Sequence, residues 1–123
     1  MEQATSSILL VGKPGHMRDA LASLLGALPA VGPVHCADSG LLALKLVRES
    51  HPSAVIVTAA LPETEAPELV SQIKQHWPKT ACLVMAEKSE HQRQAFIAGA
   101  DCVLTGGIGS EQLLYAVEKL FEK

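Results

Sequence analysis

The sequence predicts an α/β domain, a parallel β-sheet of five strands with helices on both faces. Short apolar runs alternate five times with longer segments in which apolar residues recur every three or four positions, the rhythm of repeated strand–helix units. The runs are continuously apolar rather than alternating, as strands buried on both faces require. Gly and Pro stand at most of the junctions, where a chain that changes direction needs them.

Ile8-Leu9-Leu10-Val11 is the first strand, broken by Gly12-Lys13-Pro14-Gly15. A helix is expected from about His16 to Leu28, with Met17, Leu21, Leu24, Leu25 and Leu28 on one face, and Pro29 stops it. Val34 to Ala37 reads as a short second strand, less uniformly apolar than the others and therefore suited to a sheet edge. Asp38 or Ser39 can cap the next helix, about Gly40 to Ser50, which should turn Leu42, Leu46 and Val47 inward and end before Pro52.

The third strand is Ala54 to Val57 or Thr58, followed by a Pro- and Glu-rich loop, Ala59 to Ala66. Pro67-Glu68 then opens a helix, with proline in the first turn and an acid near the positive end of the dipole. That helix carries Leu69, Val70, Ile73 and Trp77, and Pro78 closes it. Ala81 to Met85 is the fourth strand; Glu87-Lys88-Ser89 turns into a helix through Ala98, with Gly99 as its C-cap. The last unit is the strand Cys102 to Thr105, the turn Gly106-Gly107-Ile108-Gly109 and a helix capped by Ser110 that buries Leu113, Leu114, Val117 and Leu120. Right-handed crossovers leave few topologies for five such units, and the flavodoxin-like order 2-1-3-4-5 suits them. Residues 1–6 are expected to be a disordered N-terminal tail and 7–123 a single domain, without repeats or linkers.

At 123 residues, one core can form without disulfides or metal. Hydrophobic residues at 48% against 19% charged exclude disorder, and only 3% aromatics make the core aliphatic. A net charge of -3 with ten scattered Lys and Arg offers no broad positive field, so direct nucleic-acid binding is not expected. No apolar signal core and no run approaching the roughly 18 apolar residues of a membrane span occur, which points to a soluble cytoplasmic protein without membrane contact. Cys36, Cys82 and Cys102 sit in or beside apolar runs and read as small buried hydrophobes rather than redox or metal groups. The five histidines show no ligand spacing, and no cofactor is implied. Asp101, Glu87 and Glu90 lie where solvated charges or helix caps belong rather than catalytic acids.

In an open parallel sheet, ligands bind beyond the carboxyl ends of the strands. Here those places hold Gly12 and Lys13, Thr58, Met85 and Gly106. Gly12-Lys13-Pro14-Gly15 is no phosphate-binding P-loop, since it lacks the earlier glycine and the following Ser or Thr. Gly106 to Ser110 is either an anion nest leading into a helix or simply tight backbone. His16 reads as a first-turn surface residue.

The run ending at Thr58, Leu61-Pro62 beyond it, Gly99-Ala100-Asp101 ahead of a strand and a Gly-rich turn, and the helix with Leu113, Leu114, Ala116 and Val117 resemble the receiver domain of two-component response regulators (CheY-like). The resemblance covers about Ser7 to Leu120, and is greatest to receivers that carry helix-turn-helix output domains. It implies two acids after the first strand which, with an aspartate after the third, hold the Mg²⁺ that neutralises an incoming phosphoryl group. It also implies a Ser or Thr after the fourth strand and a Lys after the fifth. This chain has Gly12 and Lys13, Thr58, Met85 and Gly106 at those positions, and Val103 where an aromatic switch is usual.

A threonine hydroxyl does not attack a phosphodonor without a base; Gly12 cannot bind the metal and the Lys13 ammonium repels it, Met85 cannot hydrogen-bond a phosphate, and Gly106 has no side chain to pair with one. The expectation is a degenerate pseudo-receiver lacking the phospho-acceptor Asp, with no enzymatic activity, no metal and no cofactor. It would act by phosphorylation-independent protein contact: homodimerisation, or docking to a kinase, an output domain or another regulator. Two alternatives stay open: a small-molecule sensor in the emptied pocket beside Gly12, Thr58 and Gly106, and residual phosphotransfer to Thr58. Lys13 either reaches into the vacated metal position or stays solvated. By resemblance, the interaction face is the fourth helix, fifth strand and fifth helix, around Gln94, Phe96, Ile97, Val103, Tyr115 and Glu118, with at least one of Phe96 and Ile97 in the core.

Overall fold

The computed structural model describes residues 6–29, 31–58, 65–105 and 110–120. Five strands and five helices alternate: β1 (Ser6–Val11), α1 (His16–Gly26), β2 (Val31–Ala37), α2 (Gly40–Ser50), β3 (Ala54–Val57), α3 (Glu65–His76), β4 (Ala81–Met85), α4 (Ser89–Ala98), β5 (Cys102–Leu104) and α5 (Ser110–Leu120). All pairings are parallel and the order is β2-β1-β3-β4-β5, the flavodoxin-like arrangement expected from the five units.

Strand alternation divides the core in two. Leu9, Val11, Val55, Val57, Cys82 and Val84 point to the side covered by α2, α3 and α4, where Ala43, Val47, Leu69, Val70, Ile73 and Ala95 meet them. Ile8, Leu10, Ala54, Ile56 and Leu83 point to the other side, against Leu21 and Leu25 of α1 and Leu113 and Val117 of α5. The middle strand β3 is buried throughout, consistent with its apolar sequence. Burying so many aliphatic side chains, at about 25 cal/mol per Å² of apolar surface, supplies the drive to fold.

Several element details differ from the sequence expectations. β2 begins at Val31, three residues early, and its register against β1 slips between Ser6 and Ile8; an edge strand tolerates Pro33 beside that irregularity. α1 stops at Gly26, where Ala27 and Leu28 donate to Leu24 and Leu25 in tighter i→i+3 bonds. Met17 is 68% exposed rather than inward, as is Leu42 at 39%, because Ala43 and Val47 make the buried contact of α2. α3 starts at Glu65, so Pro67 is its third residue, still within the turn whose N–H groups have no helical partner. β5 stops at Leu104.

Ser39 caps α2 by accepting from the Leu42 N–H at 3.2 Å. Gly99 closes α4 at φ 114°, a left-handed conformation that glycine adopts without strain. The expectations for residues 1–5, for the loop 59–64, for the glycine turn 106–109 and for the Ser110 side chain lie outside the described residues. Among the described residues no helix is long and apolar enough to cross a membrane.

Candidate functional site at the strand ends

β1 and β3 are neighbours, with Val11 beside Val57, so the residues that follow them meet at the carboxyl edge. The ladder continues one step past the strands: the Thr58 N–H donates to the Val11 carbonyl and the Gly12 N–H to the Ala37 carbonyl, each at 2.9 Å. Thr58 is buried at 6% exposure. Its side chain lies so close to Gly12 that a Cβ on residue 12 would overlap Oγ1 and sit 3.3 Å from both Cβ and Cγ2. The space that a side chain at position 12 needs is filled by the threonine.

Of the other predicted site residues, Lys13 is exposed. Met85 is half-buried and packs into the core layer under α1 and α5. Gly106 lies outside the described residues. Among the described residues, the site expected from sequence comes together as the Gly12–Thr58 contact.

Sequence reasoning missed the cation that sits at this edge. The Arg18 guanidinium, on the first turns of α1, donates to the Gly12 carbonyl at 3.0 Å and to Asp38, just past β2. Its hydrogen bond to Asp38 raises the guanidinium pKa further, outweighing a smaller opposing effect of burial. Arg18 thereby ties the end of β1 to the end of β2. Nothing in local sequence marks this pair, since the partners are 20 residues apart.

Among the described residues, the side chains at these strand ends do not fit a magnesium ion. A hard divalent cation needs carboxylate and other oxygen ligands; here Gly12 has no side chain, Thr58 packs against it, and a guanidinium already holds the Gly12 carbonyl. Among the described residues, no three His, Cys, Asp or Glu side chains converge on a metal position.

Asp101 is occupied at the opposite end of the sheet. Its Oδ2 accepts from the Cys82 N–H at 2.8 Å and from Lys74 Nζ at 3.0 Å, while Lys74 also donates to the Pro78 and Thr80 carbonyls, each at 3.0 Å. This network joins α3 to the starts of β4 and β5. Burial pushes the nearby Cys82 thiol up to about 12, with Lys74 opposing and Asp101 reinforcing the rise; Cys102 is raised too, mainly by burial.

On the α4, β5 and α5 side, Phe96 and Ile97 are both exposed, at 67% and 76%, so neither belongs to the core. Ala95 makes the buried contact of α4, and a residue this small draws the helix in while rotating its larger neighbours outward. Gln94, Tyr115 and Glu118 are exposed and Val103 is half-buried. Lys119 Nζ lies 5.4 Å from the centre of the Tyr115 ring, within cation–π range. Beside it a groove of about 650 Å³ runs between the open edge of β5 and α5, lined by Cys102, Leu104, Tyr115, Ala116 and Leu120 among others.

No curated protein matches the chain. Among solved structures it is similar to a two-component response regulator of the LuxR family from Aurantimonas sp. SI85-9A1 (26% identity, TM-score 0.85, covering 95% of this chain and 85% of that one). It is similar also to the signal receiver domain of an HD domain-containing protein from Pseudomonas fluorescens Pf-5 (26% identity, TM-score 0.84, 95% and 94%). A CheY-like receiver domain protein from Methanospirillum hungatei JF-1 shares the fold at 20% identity and TM-score 0.83, with 95% and 94% covered. Residues 8–118, most of the chain, match the response regulator receiver domain family. With the β2-β1-β3-β4-β5 sheet and the strand-end crevice in place, the chain belongs to the family of response regulator receiver domains.

Proposed function

We propose that this receiver domain is a pseudo-receiver, a non-enzymatic cytoplasmic module that acts through protein contact without phosphorylation. The observation that carries the reading is the packing of the Thr58 side chain against Gly12: the residue that follows β3 is a threonine rather than an acid, and its side chain leaves no room for a metal-holding carboxylate at position 12. Lys13 stays outside in solvent, and Arg18 supplies the positive charge at the strand ends from within the protein. The same packing disfavours a small-molecule sensor here, because the space next to Gly12 is taken.

The contact surface in this reading is the α4–β5–α5 face, where Phe96, Ile97 and Tyr115 are exposed large apolar residues of the kind that anchor interfaces. The partner is another signalling protein, an output domain or a second copy of the chain. The response regulator from Aurantimonas supports a place in two-component signalling.

Incubation with a small phosphodonor and Mg²⁺, read by intact mass beside an active receiver, tests the proposal. The expected result is no phosphoryl adduct on this chain, and no change in its amide spectrum when Mg²⁺ and beryllofluoride are added. A stable adduct, or metal-dependent shifts centred on Gly12 and Thr58, would overturn it.

A further inference from the structure

A second surface, on the opposite side of α4 from β5, carries a more specific chemistry. α2 and α3 each follow a strand of the parallel sheet and lie side by side on one face, so they run in the same direction. Between their first turns is a groove of about 320 Å³. Its apolar lining is Leu41, Leu44 and Leu69, and Leu41 is 84% exposed, the most exposed large hydrophobic residue among those described.

The charge of the groove has one sign. Glu65 and Glu68 line it and no Lys or Arg does. The Glu65 carboxylate is held in place, because its Oε1 accepts from the Gly40 N–H at 3.1 Å; Glu68 is exposed. Lys45 and Arg48 follow farther along α2 and are not part of the lining. Two other grooves among the described residues differ: the one at β5 includes Lys119 with its acids, and the one at the β2 edge has no Asp, Glu, Lys or Arg.

We propose that the α2–α3 groove docks a basic amphipathic helix of a partner protein. Its aliphatic side chains, spaced i, i+3, i+4, would cover Leu41 and Leu44 above the already buried Leu69, and its Lys or Arg side chains would meet Glu65 and Glu68. An apolar groove between two helices can receive the apolar face of a third, and an exposed leucine within it gains by being covered. A second copy of this chain is a poor occupant. Its net charge is -3, its α4 carries Glu90 as well as Arg93, and its α5 sets Glu111 and Glu118 against Lys119. The inference is independent of the state of the strand-end crevice.

The test is a titration of the full, isotope-labelled chain with a synthetic peptide of Leu and Lys at helical spacing, about 14 residues or roughly four turns long, followed by NMR. Amide shifts are expected along Gly40–Leu44 and Glu65–Gln72. Leu41→Glu and Glu68→Lys, both at exposed positions and so compatible with the fold, should each weaken binding about tenfold or more. A peptide of the same composition in scrambled order should bind far more weakly. Shifts centred on another face, wild-type affinity in both variants, or equal binding of the scrambled peptide would each overturn the proposal. So would self-association of the chain that excludes the peptide and is lost in Leu41→Glu, which would make a second copy the occupant.

Discussion

The Thr58 hydroxyl lies where the side chain of residue 12 would begin. Two positions that follow neighbouring central strands are thereby coupled: with a threonine turned toward it at 58, position 12 has room for glycine and not for a Cβ. A carboxylate at position 12 would have to displace the threonine side chain, and an unbranched residue at 58 would leave a gap beside Gly12. The two positions share one space, so a change at one alters the cost of a change at the other.

Gly12→Ala should therefore destabilise the fold by about 1–3 kcal/mol, the usual cost of overpacking a closed site. In a Thr58→Ala background the same change should cost much less, giving a coupling of about 0.5–3 kcal/mol in a double-mutant cycle. Urea denaturation of the four proteins measures both quantities. Additive effects would mean that the two side chains do not compete for one space.

Arg18 should govern local rather than global order at this edge. Removing it leaves the Asp38 carboxylate and the Gly12 carbonyl without their shared donor. In Arg18→Ala the Gly12 amide, which bonds across to Ala37, should exchange hydrogen faster, with Cys82 at the far end unchanged. Arg18→Lys should recover only part of the protection, since an ammonium lacks the planar fork of a guanidinium. Equal exchange in wild type and Arg18→Ala would show that the ion pair does not hold the strand ends.

The sheet was legible in the sequence because continuous apolar runs such as Ala54 to Val57 can hardly be anything but buried strands, and five of them with helical connections leave few orders. Helix faces were less legible. Pattern reading gives weight to large residues, whereas Ala43 and Ala95 are the ones buried in the core while Leu42, Phe96 and Ile97 face outward. At the site, the identities of Gly12 and Thr58 could be read directly, but their mutual packing and the Arg18–Asp38 tie depend on how β1, β2 and β3 line up. A chain scanned locally offered Lys13 as the nearby cation; the fold brings Arg18 instead.

Ile97→Glu on α4 should cost no more than about 1 kcal/mol of stability, because the position is exposed and the main penalty is an acid placed in the last turn of the helix, against its dipole. If the α4–β5–α5 face is the working surface, the same variant loses self-association or partner binding. Light scattering of both proteins over a concentration series, beside thermal unfolding, separates the two effects. A variant that unfolds much earlier would place Ile97 in the core, contrary to its 76% exposure.

Cys82 should make the fold sensitive to alkali. Its thiol rises from 9.0 to about 12 in the folded chain, chiefly because burial disfavours the thiolate. Below pH 9 both folded and unfolded chains keep the proton and the group has no effect on stability with pH. Between about pH 9 and 12 the unfolded chain releases the proton while the folded one retains it, so stability falls with pH by up to about 1.4 kcal/mol per unit. Cys102, also raised by burial, adds in the same direction. Cys82→Ala should flatten the decline without abolishing it, a difference that denaturant midpoints measured from pH 8 to 11 would reveal. Parallel pH profiles for the two proteins would mean that the thiol ionises in the fold as readily as in the open chain.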